Sequence, residues 1–417
     1  MRHGGFFQLF LIFIVISILM DLYVHQGLRT LLLGNSKTTR RVILWVYWVI
    51  SLGVVMLFLL SLSSASKPPG MKPYHQWVLS LFLGFLVSKI VFILVLVMGD
   101  AYRLIAGLVN VIRKTPEQGS YIPSRRKFVS EAAVLLAAVP FSSFLYAMFK
   151  GKYDYRVHKQ TLYFKDLPQA FDGFTITQLS DIHSGSFDSA AAVQRGIDLA
   201  NAQKSDLFVF TGDLVNNVAS EIEPYISQFG QLKAPYGQYS ILGNHDYGDY
   251  VEWGSAQEKA DNLRKLKENH KALGYRLLLD ENLELEKEGQ KITLIGVQNW
   301  GRGFIQMGSL DKALQGVDPA AFKVLLSHDP THWEEIVRYH PTQIHLTLSG
   351  HTHGAQFGIE TDSLRWSPVK YRYLNWAGIL EQNKRYLYVN RGFGFLAFSG
   401  RLGIWPEITV IELKRKA

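Results

Sequence analysis

Three long apolar runs near the beginning of the chain limit most strongly what it can fold into. The runs cover residues 6–24, 42–62 and 77–98. Each holds about 20 residues, enough for a helix to cross about 30 Å of hydrocarbon. Soluble core helices of that length usually keep a polar stripe, which these runs lack. The sequence therefore predicts an all-α membrane domain in this part of the chain.

The basic residues predict how these spans are oriented. Residues 1–150 contain 15 Lys and Arg against 4 Asp and Glu, whereas the rest of the chain contains 29 against 31. Segments 29–41 and 103–127 are rich in basic residues, and segment 63–76 between the second and third runs carries two lysines. Because positive segments stay in the cytoplasm, the N-terminus is expected outside.

A fourth, less apolar stretch covers residues 132–149 and contains Pro140. The preceding Ser124–Val129 resembles a twin-arginine export signal, Ser-Arg-Arg-x-Phe-Leu, and the alternative is ordinary basic flanking of a last helix. Both interpretations place the arginine pair in the cytoplasm and everything after residue 150 outside. No Ala-x-Ala cleavage site follows, so this segment is expected to remain as an anchor.

Two ionisable residues, Asp21 and Lys89, interrupt the apolar runs. Such groups are costly in hydrocarbon and usually face the interior of a helix bundle. We therefore expect Asp21 and Lys89 to pair between the first and third spans, toward the cytoplasmic side. The alternative is that each side chain snorkels to the membrane interface.

Five strand-like runs in the second part of the chain each end in polar residues. After Phe174–Thr177, Asp181 and His183 stand two residues apart, and in extended chain such residues point to the same side. The other polar turns carry Asp213; Asn244, His245 and Asp246; His328; and His351 with His353. Glycines precede Asp213, Asn244 and His351, as tight turns close to a site require. Since α/β sheets place ligand sites at the carboxyl ends of strands, these donors fit a pair of ions that share a carboxylate.

These five blocks resemble, in their order, the motifs of the calcineurin-like metallophosphoesterases over about residues 165–413. The blocks are Asp-x-His, Gly-Asp, Gly-Asn-His-Asp, a lone His and Gly-His-x-His. The resemblance implies an α/β domain built as a four-layer αββα sandwich, with two mixed sheets face to face. It implies two divalent metal ions, with Mn expected and Fe or Zn left open, because His, Asp and Asn without thiolate suit these ions.

The resemblance also assigns a role to each matching position. The first metal would be held by Asp181, His183 and His353, the second by Asn244, His328 and His351, and Asp213 would bridge them. His245 would protonate the leaving oxygen, and Asp246 would orient it.

These features divide the chain into a membrane domain at 1–150, a linker at 151–165 and a phosphoesterase domain at 166–417. Residues 155–158 and 161–164 alternate as short strands would. Further along, helices are predicted over Ala190–Ala202, Glu221–Gln231 and Glu252–Leu273, and strands over Tyr275–Leu279, Leu283–Lys287 and Lys291–Val297.

The last part of the chain mixes aromatic residues with cations between residues 366 and 405. This composition suits a membrane interface or a lipid-headgroup pocket, and the alternative is edge strands and core. Arg391 and Arg401 are predicted to contact a substrate phosphate. Gly403–Ile408 resembles the closing strand of the exported bacterial branch of the family.

The predicted function is a membrane-anchored phosphoesterase with two metal ions, and a phosphodiester is favoured over a monoester. This preference rests on resemblance to the exported branch and to membrane-associated UDP-diacylglucosamine hydrolases. Those enzymes act on the cytosolic side, so their substrate is not carried over. The expected place is the bacterial inner membrane, with the catalytic domain on the periplasmic side. The alternative is a regulatory or sensory membrane protein whose multi-span part carries the main function.

The expected partners are the lipid bilayer and a phosphoester substrate, with a lipid as one candidate. Nucleic acid is not expected, because the part after residue 150 has no basic excess to attract phosphates. The chain has no cysteine, which excludes a disulfide partner.

Overall fold

The computed structural model describes residues 3–64, 70, 72–112, 123–361 and 363–416, and the side chains of 3–12, 63–64, 110–111 and 123–125 are not among those described. The chain divides into two compact units. We call Met1–Ser61 with Val78–Tyr146 the helical unit, and Leu62–Trp77 with Ala147–Ala417 the sheet unit.

Four long helices dominate the first 150 residues: α1 His3–Leu31, α2 Lys37–Ser64, α3 Pro73–Ile112 and α4 Pro123–Phe149. Three stretches of the described residues are long and apolar enough to cross a membrane, namely Lys37–Leu62, Pro73–Val109 and Arg126–Tyr153. They contain the predicted runs 42–62, 77–98 and 132–149. The predicted run 6–24 lies in α1, where the side chains up to residue 12 are outside the described set.

The helix α3 has 40 residues and is thus about 60 Å long, far beyond the predicted run, because the sequence after Met98 continues without a helix-breaking proline. The twin-arginine-like Ser124–Val129 begins α4, but the side chains of its first two residues lie outside those described.

The predicted pair of Asp21 and Lys89 is confirmed within the helical unit. Lys89 Nζ lies 2.7 Å from Asp21 Oδ1, and Asp21 is only 1% exposed. Ser51 Oγ donates to Asp21 Oδ2 at 2.8 Å and accepts from Lys89 Nζ at 2.6 Å, and Tyr47 also donates to Asp21. Because every charge has a partner, α1, α2 and α3 are joined by a satisfied polar network.

Two six-stranded sheets form the centre of the sheet unit. The first has the order β1-β14-β2-β3-β4-β5 and the second the order β12-β13-β9-β8-β7-β6. The strands of the first sheet are β1 Arg156–Phe164, β2 Phe174–Leu179, β3 Leu207–Phe210, β4 Gln238–Ser240, β5 Arg276–Leu277 and β14 Glu407–Arg415. Those of the second are β6 Glu281–Lys287, β7 Gln290–Gly296, β8 Phe322–Leu326, β9 Leu346–Ser349, β12 Gly378–Gln382 and β13 Arg385–Val389. A small hairpin is formed by β10 Ile359–Glu360 and β11 Arg365–Trp366.

Both sheets are mixed. Strands β2 to β5 run parallel, and β14 lies antiparallel to β2 while pairing parallel with β1. Strands β7, β8, β9 and β13 run parallel, with antiparallel β6 and β12 at the edges. The carboxyl ends of the central strands are therefore available for a site in each sheet.

Helices cover the outer face of each sheet. The described helices here are α5 Ala190–Asn201, α6 Ile226–Phe229, α7 Ala256–Ala272, α8 Leu310–Ala313 and α9 Pro330–Glu335. One apolar cluster, including Ile176 and Val324, fills the space between the sheets. A second packs the first sheet against α5 and α7, and a third packs the second sheet against α8 and α9. The layers follow the order αββα, as predicted.

The short strands predicted at 155–158 and 161–164 are present as one nine-residue strand, β1, so the stretch 151–165 is part of the first sheet and not a linker. Strand β1 pairs parallel with β14 from Arg156 opposite Glu407 to Phe164 opposite Arg415. Leu162 and Phe164 are each 5% exposed in the core between the sheets, so burial of their apolar surface holds this strand in place.

Most of the other predicted elements are present with shifted ends. α5 begins after Ser189, whose Oγ accepts the Ala192 N–H, and α7 begins after Ser255, whose Oγ accepts from Glu258. The predicted helix Glu221–Gln231 is wrong. A single turn of 3-10 helix, Glu223–Tyr225, precedes the four residues of α6, because Pro224 lacks the N–H that a continuous helix needs.

Candidate metal centre

All five predicted polar turns lie at the carboxyl ends of central strands. Asp181 follows β2, Asp213 follows β3 and Asn244 follows β4 in the first sheet. His328 follows β8 and His351 follows β9 in the second. The two sheets thus converge on one edge of the sandwich, where carboxylate, amide and imidazole donors meet.

Three glycines let these turns approach one another. A Cβ at Gly243 would lie 2.2 Å from Asp213 Oδ1, and one at Gly350 would lie 2.2 Å from Asp181 Oδ2. A Cβ at Gly212 would lie 2.5 Å from the Gly243 nitrogen. Side chains at Gly243 and Gly350 would therefore displace ligand carboxylates, and one at Gly212 would push the Gly243 turn away, which confirms the close approach predicted from the sequence.

The ligand turns carry an unusual backbone. Five of the predicted ligands adopt the left-handed region, with φ of 52° at Asp181, 47° at His183, 60° at Asp213, 75° at His351 and 50° at His353. Residues other than glycine seldom adopt this conformation, and it concentrates at functional sites. Asp181 and His183 thus converge through a left-handed turn, and the extended chain assumed in the sequence argument is wrong.

The first cluster contains Asp181, His183 and His353, all buried, with ligand atoms within 4.8 Å of one another. His353 Nε2 lies 3.3 Å from Asp181 Oδ1. Among the described residues, neither ring nitrogen of His183 has a hydrogen-bond partner, and nor does Nε2 of His353. Buried polar atoms are rarely left unpaired, so one nitrogen of each ring fits a metal ion as its partner.

The second cluster contains Asp213, His328 and His351, joined by the amide of Asn244. Asn244 Oδ1 lies 2.8 Å from His351 Nδ1 and 3.2 Å from His328 Nε2. His351 Nδ1 and His328 Nε2 are themselves 3.2 Å apart. Two imidazole nitrogens and an amide oxygen thus point at one another, as ligands of a common cation do.

Asp213 connects the two clusters. Its Oδ2 lies 3.5 Å from His183 Nε2 in the first cluster and 3.1 Å from His328 Nε2 in the second. Its Oδ1 accepts the backbone N–H of His245 at 2.8 Å, which fixes the carboxylate. This position between the clusters fits the bridging role that the resemblance implies.

Burial sets the protonation of the ligand side chains. It lowers the pKa of His183 to about 3 and that of His351 to about 4, so both imidazoles are neutral and able to ligate at pH 7. Burial also opposes a charge on His328, but the Asp213 carboxylate raises the pKa of His328 to about 10. Binding of a metal displaces ligand protons, so uptake at His328 would release one.

His245 lies beside the clusters, but its partner differs from the one predicted. Its Nδ1 lies 2.8 Å from the Asn216 carbonyl oxygen, which accepts the Nδ1 proton. Its ring centroid is 4.9 Å from that of His183 and 4.3 Å from that of Tyr250. The Asn216 carbonyl, and not Asp246, therefore orients the imidazole, and this carbonyl was missed because nothing in the local sequence marks it.

Asp246 binds backbone N–H groups of two ligand turns and not the side chain of His245. Its carboxylate accepts the N–H groups of Gly243 at 2.8 Å, Asp213 at 2.9 Å and Leu214 at 2.8 Å. Burial raises the pKa of Asp246 to about 7, and the nearby Asp213 charge adds to this. The orienting role predicted for Asp246 is thus wrong, because its oxygens are occupied by two ligand turns.

Two further residues support His351 and were not predicted. Tyr373 Oη lies 2.8 Å from His351 Nε2, and Asp329 Oδ2 lies 3.4 Å from the same atom. A carboxylate or hydroxyl behind a metal-binding imidazole fixes the ring and its tautomer. The position of Asp329, directly after His328, was the only sequence signal that could have found it.

Arg391 and Arg401 do not face an open site, so the predicted contact with a substrate phosphate is wrong. Arg391 is 4% exposed and pairs with Glu360 and Glu407. Arg401 is fully buried, donates to the Gly394 carbonyl at 2.9 Å through Nε, and has Nη2 3.1 Å from His353 Nδ1. Both cations are buried and held by internal partners, so neither guanidinium is presented to a ligand.

Two family descriptions match the chain. Residues 6–152 match a probable calcineurin-like phosphoesterase transmembrane domain, and residues 174–355 match the calcineurin-like phosphoesterase domain. YkuE of Bacillus subtilis, an uncharacterized metallophosphoesterase, is 28% identical over 70% of this chain and 98% of its own.

Two other relatives are membrane or lipid-related proteins by name. A bovine transmembrane protein with metallophosphoesterase domain is 27% identical over 60% of this chain, and the match spans 54% of that protein. The UDP-2,3-diacylglucosamine pyrophosphatase LpxG of Chlamydia muridarum is 27% identical over 55% of this chain and 81% of its own.

Proposed function

We propose that this chain, which belongs to the calcineurin-like phosphoesterases that carry a transmembrane domain, cleaves a phosphodiester at the outer face of a bacterial inner membrane. The family makes it a membrane-associated, metal-dependent phosphoester hydrolase. The diester preference, the lipid nature of the substrate, the metal and the side of the membrane are our proposals.

The observation that carries the proposal is the position of Asp213 between the two ligand clusters, 3.5 Å from His183 and 3.1 Å from His328. Asp181, His183 and His353 would hold one divalent cation, Asn244, His328 and His351 the other, and Asp213 both. Bound there, two cations supply Lewis acidity for phosphoryl transfer. We propose Mn²⁺ in both positions, because the donor set mixes imidazole with carboxylate and amide oxygen and has no thiolate.

His245 would deliver the proton to the leaving oxygen. Its Nδ1 is held by the Asn216 carbonyl oxygen at 2.8 Å, so Nε2 is the nitrogen available for proton transfer. Burial lowers the pKa of His245, which makes its protonated form a stronger acid. A departing alkoxide needs such a proton more than a departing phenoxide does.

A lipid phosphoester is the proposed substrate class. Tyr371 and Leu374 are 78% and 85% exposed, and Lys370 and Arg372 are exposed beside them. Between them Tyr373 reaches His351, which ties this surface to the second ligand cluster. Exposed aromatic and aliphatic groups among cations suit an anionic headgroup with an acyl chain. LpxG, a relative, bears the name of an enzyme for a diacylated substrate.

The proposed orientation rests on the basic segments 29–41 and 103–127, which positive-inside bias keeps in the cytoplasm. Because the chain lacks cysteine, single cysteines can report the topology without background. We expect an impermeant maleimide to label Lys267→Cys in intact cells but not Ser36→Cys, since Lys267 is exposed in the sheet unit and Ser36 precedes α2. The reverse pattern would refute the outer location.

Activity should be measured on the full chain in detergent, loaded with Mn²⁺, Fe²⁺ or Zn²⁺, on a chromogenic phosphodiester and a phosphomonoester. We expect faster diester cleavage, abolished by Asp213→Asn and reduced by His245→Ala. Gln257→Ala, on the exposed side of α7, is the matched control. Fluorescent glycerophospholipids in mixed micelles then test the lipid class, and a faster monoester reaction would overturn the diester proposal.

A second candidate function is sensing or regulation by the helical unit. The satisfied network of Asp21, Lys89 and Ser51 favours it, because ionisable groups inside apolar helices commonly mark a functional site. Under this hypothesis the metal-loaded protein would turn over no phosphoester until a ligand of the helical unit is present.

A further inference from the structure

A short segment between α2 and α3 forms part of the sheet unit. Its described residues are Gly70 and Lys72–Trp77. His75 is 2% exposed and Gln76 is fully buried. Gly70 has φ of +88°, and a Cβ there would lie 2.8 Å from both Asn217 Nδ2 and Val251 Cγ1. The segment thus packs closely beside the turn that holds His245.

A line of hydrogen bonds runs from this segment to His245 through Asn216, whose side chain accepts one bond and whose backbone carbonyl accepts the next. Gln76 Nε2 donates to Ser186 Oγ at 2.8 Å. Ser186 Oγ donates to Asn216 Oδ1 at 3.2 Å. The Asn216 carbonyl oxygen then accepts from His245 Nδ1 at 2.8 Å. Gln76, Ser186 and Asn216 are at most 1% exposed, so the bonds among these three residues do not compete with bulk water.

The neighbouring residues hold Gln76 in position. Trp77 Nε1 donates to Asp188 Oδ2 at 2.8 Å. Lys152 Nζ lies 4.5 Å from the centre of the Trp77 ring and also pairs with Asp188. Lys152 is 2% exposed, and a desolvated cation over an aromatic face is a strong contact. Asp188 and Lys152 therefore hold Trp77, the residue after Gln76 in the first turns of α3.

The turn that carries Asn216 is fixed from two sides. Glu221 holds its backbone, since the carboxylate accepts the N–H groups of Asn216, Asn217 and Val218. The Asn216 side chain is held separately by Ser186, and Ser186 is held by Gln76. Loss of Gln76 would remove one partner of the Ser186 hydroxyl, so that the Asn216 side chain is held less firmly and only Glu221 still fixes the turn that presents the Asn216 carbonyl.

We infer that Gln76 is a positioning residue for His245, acting through Ser186 and Asn216, so that the connection between α2 and α3 completes the catalytic frame. The inference rests on the proposed role of His245 as general acid. It also implies that a fragment beginning at residue 151 lacks one support of its own active site.

The test uses Gln76→Met in the full chain in detergent with Mn²⁺, because methionine keeps the volume but removes the donor. Two phosphodiesters are compared, one with a nitrophenol and one with an aliphatic alcohol as leaving group. We expect kcat to fall about fivefold on the alkyl diester, the worth of one hydrogen bond, and by less than twofold on the nitrophenyl diester. Ser186→Ala should reproduce this pattern, and Gln257→Ala should change neither rate.

A merely structural role for Gln76 would lower both rates equally, or would lower the metal content and thermal midpoint, and either result overturns the inference. In a His245→Ala background, Gln76→Met should cause no further loss, and an additional loss overturns it as well. Absence of diester turnover in the wild type contradicts the proposed function instead. In that case the ¹⁵N shifts of the His245 ring still test the role of Gln76. The inference requires Gln76→Met to alter the tautomer population of His245, and unchanged shifts overturn it.

Discussion

The Asp246 carboxylate accepts the backbone N–H of Asp213 at 2.9 Å, so the residue next to the proposed acid holds the turn of the proposed bridging ligand. The same carboxylate accepts from Leu214 and from Gly243, whose turn leads into Asn244. Asp246 thus fixes two turns at once, that of Asp213, which connects the clusters, and that of Asn244 in the second cluster. His245 and Asp246 are adjacent in sequence, but they serve separate tasks.

The first prediction separates these tasks by substitution. Asp246→Asn keeps one acceptor oxygen but turns the other into a donor, which faces backbone N–H groups. We expect metal affinity to fall about 10–100-fold, as for other groups that orient metal ligands, and activity to return in excess metal. Metal titration of the chelator-treated protein, followed by kcat at saturating metal, measures both quantities.

His245→Ala is the control for this prediction. It should retain its metal content and lose roughly 10²–10⁴-fold in kcat on an alkyl phosphodiester, the range of general acid catalysis. If Asp246→Asn instead lowers kcat at full metal occupancy while its metal affinity is unchanged, Asp246 acts on His245 after all.

The ligands could be predicted from the sequence, whereas the residues behind them could not. Each proposed ligand lies in the turn after a strand, so a local pattern marks it, as with Asp181 after β2. The partners of Asp246 lie up to 33 residues away, and Ser186 meets Gln76 over 110 residues. Such contacts depend on how the sheets and turns pack, and no local periodicity carries that information.

The second prediction concerns Arg401, whose Nη2 lies 3.1 Å from His353 Nδ1. We expect Arg401→Lys to weaken metal binding about tenfold, because Arg401 fixes the Gly394 carbonyl and lies against the ring of His353, which would gain room to move. KM for the diester at saturating metal should change by less than twofold. A large rise in KM with unchanged metal affinity would instead indicate that Arg401 contacts the substrate phosphate, as predicted from the sequence.

Arg391→Lys is the matched variant for Arg401. Arg391 pairs with Glu360 and Glu407 and does not contact a ligand residue. Its replacement should lower the thermal midpoint and leave metal affinity unchanged, since lysine cannot form both pairs at once. Metal titration and thermal unfolding of the two variants side by side distinguish support of a ligand from support of the fold.

The third prediction is a pH dependence of stability at Glu407. Burial opposes its charge, but Arg391 and hydrogen bonds from Thr409 and Tyr388 hold the pKa of Glu407 at about 2. An acid with a lowered folded-state pKa stabilises the fold above its unfolded pKa, about 4.5, and this stability is lost as pH falls toward 2. The ionised form should contribute at most about 3 kcal/mol at pH 7.

Glu407→Gln tests this pH dependence. At pH 7 the variant should unfold at a lower temperature than the wild type, and the difference should shrink steadily between pH 5 and pH 3. Thermal unfolding followed by tryptophan fluorescence at pH 7, 5 and 3 provides the comparison. A constant difference across this range would mean that the Glu407 charge does not contribute.

Long-range pairing also explains why residues 151–165, predicted as a linker with short strands, belong to the first sheet. Local alternation indicated short strands there, but the partner of β1 is β14, more than 200 residues later. The helix Glu221–Gln231 is different, because Pro224 was visible in the sequence and its missing N–H predicts a break. The pairing of residues 151–165 could not be read from the local sequence. The helix Glu221–Gln231 was predicted from its periodicity although Pro224 indicated a break.

The last prediction concerns the pair of Lys89 and Asp21, which are 2.7 Å apart and 11% and 1% exposed. Lys89→Leu leaves the Asp21 carboxylate buried without its cation, and breaking a buried pair costs roughly 3–5 kcal/mol. We expect the yield of monodisperse protein in detergent and its thermal midpoint to fall in this variant and in Asp21→Asn. The double variant Asp21→Asn with Lys89→Leu should recover much of the loss, because no unpaired charge remains.

Val97→Leu, an exposed apolar position on α3, is the control for this prediction. Full yield of Lys89→Leu alone would show that the pair does not hold the helices together, and equal losses in single and double variants would point to packing rather than charge.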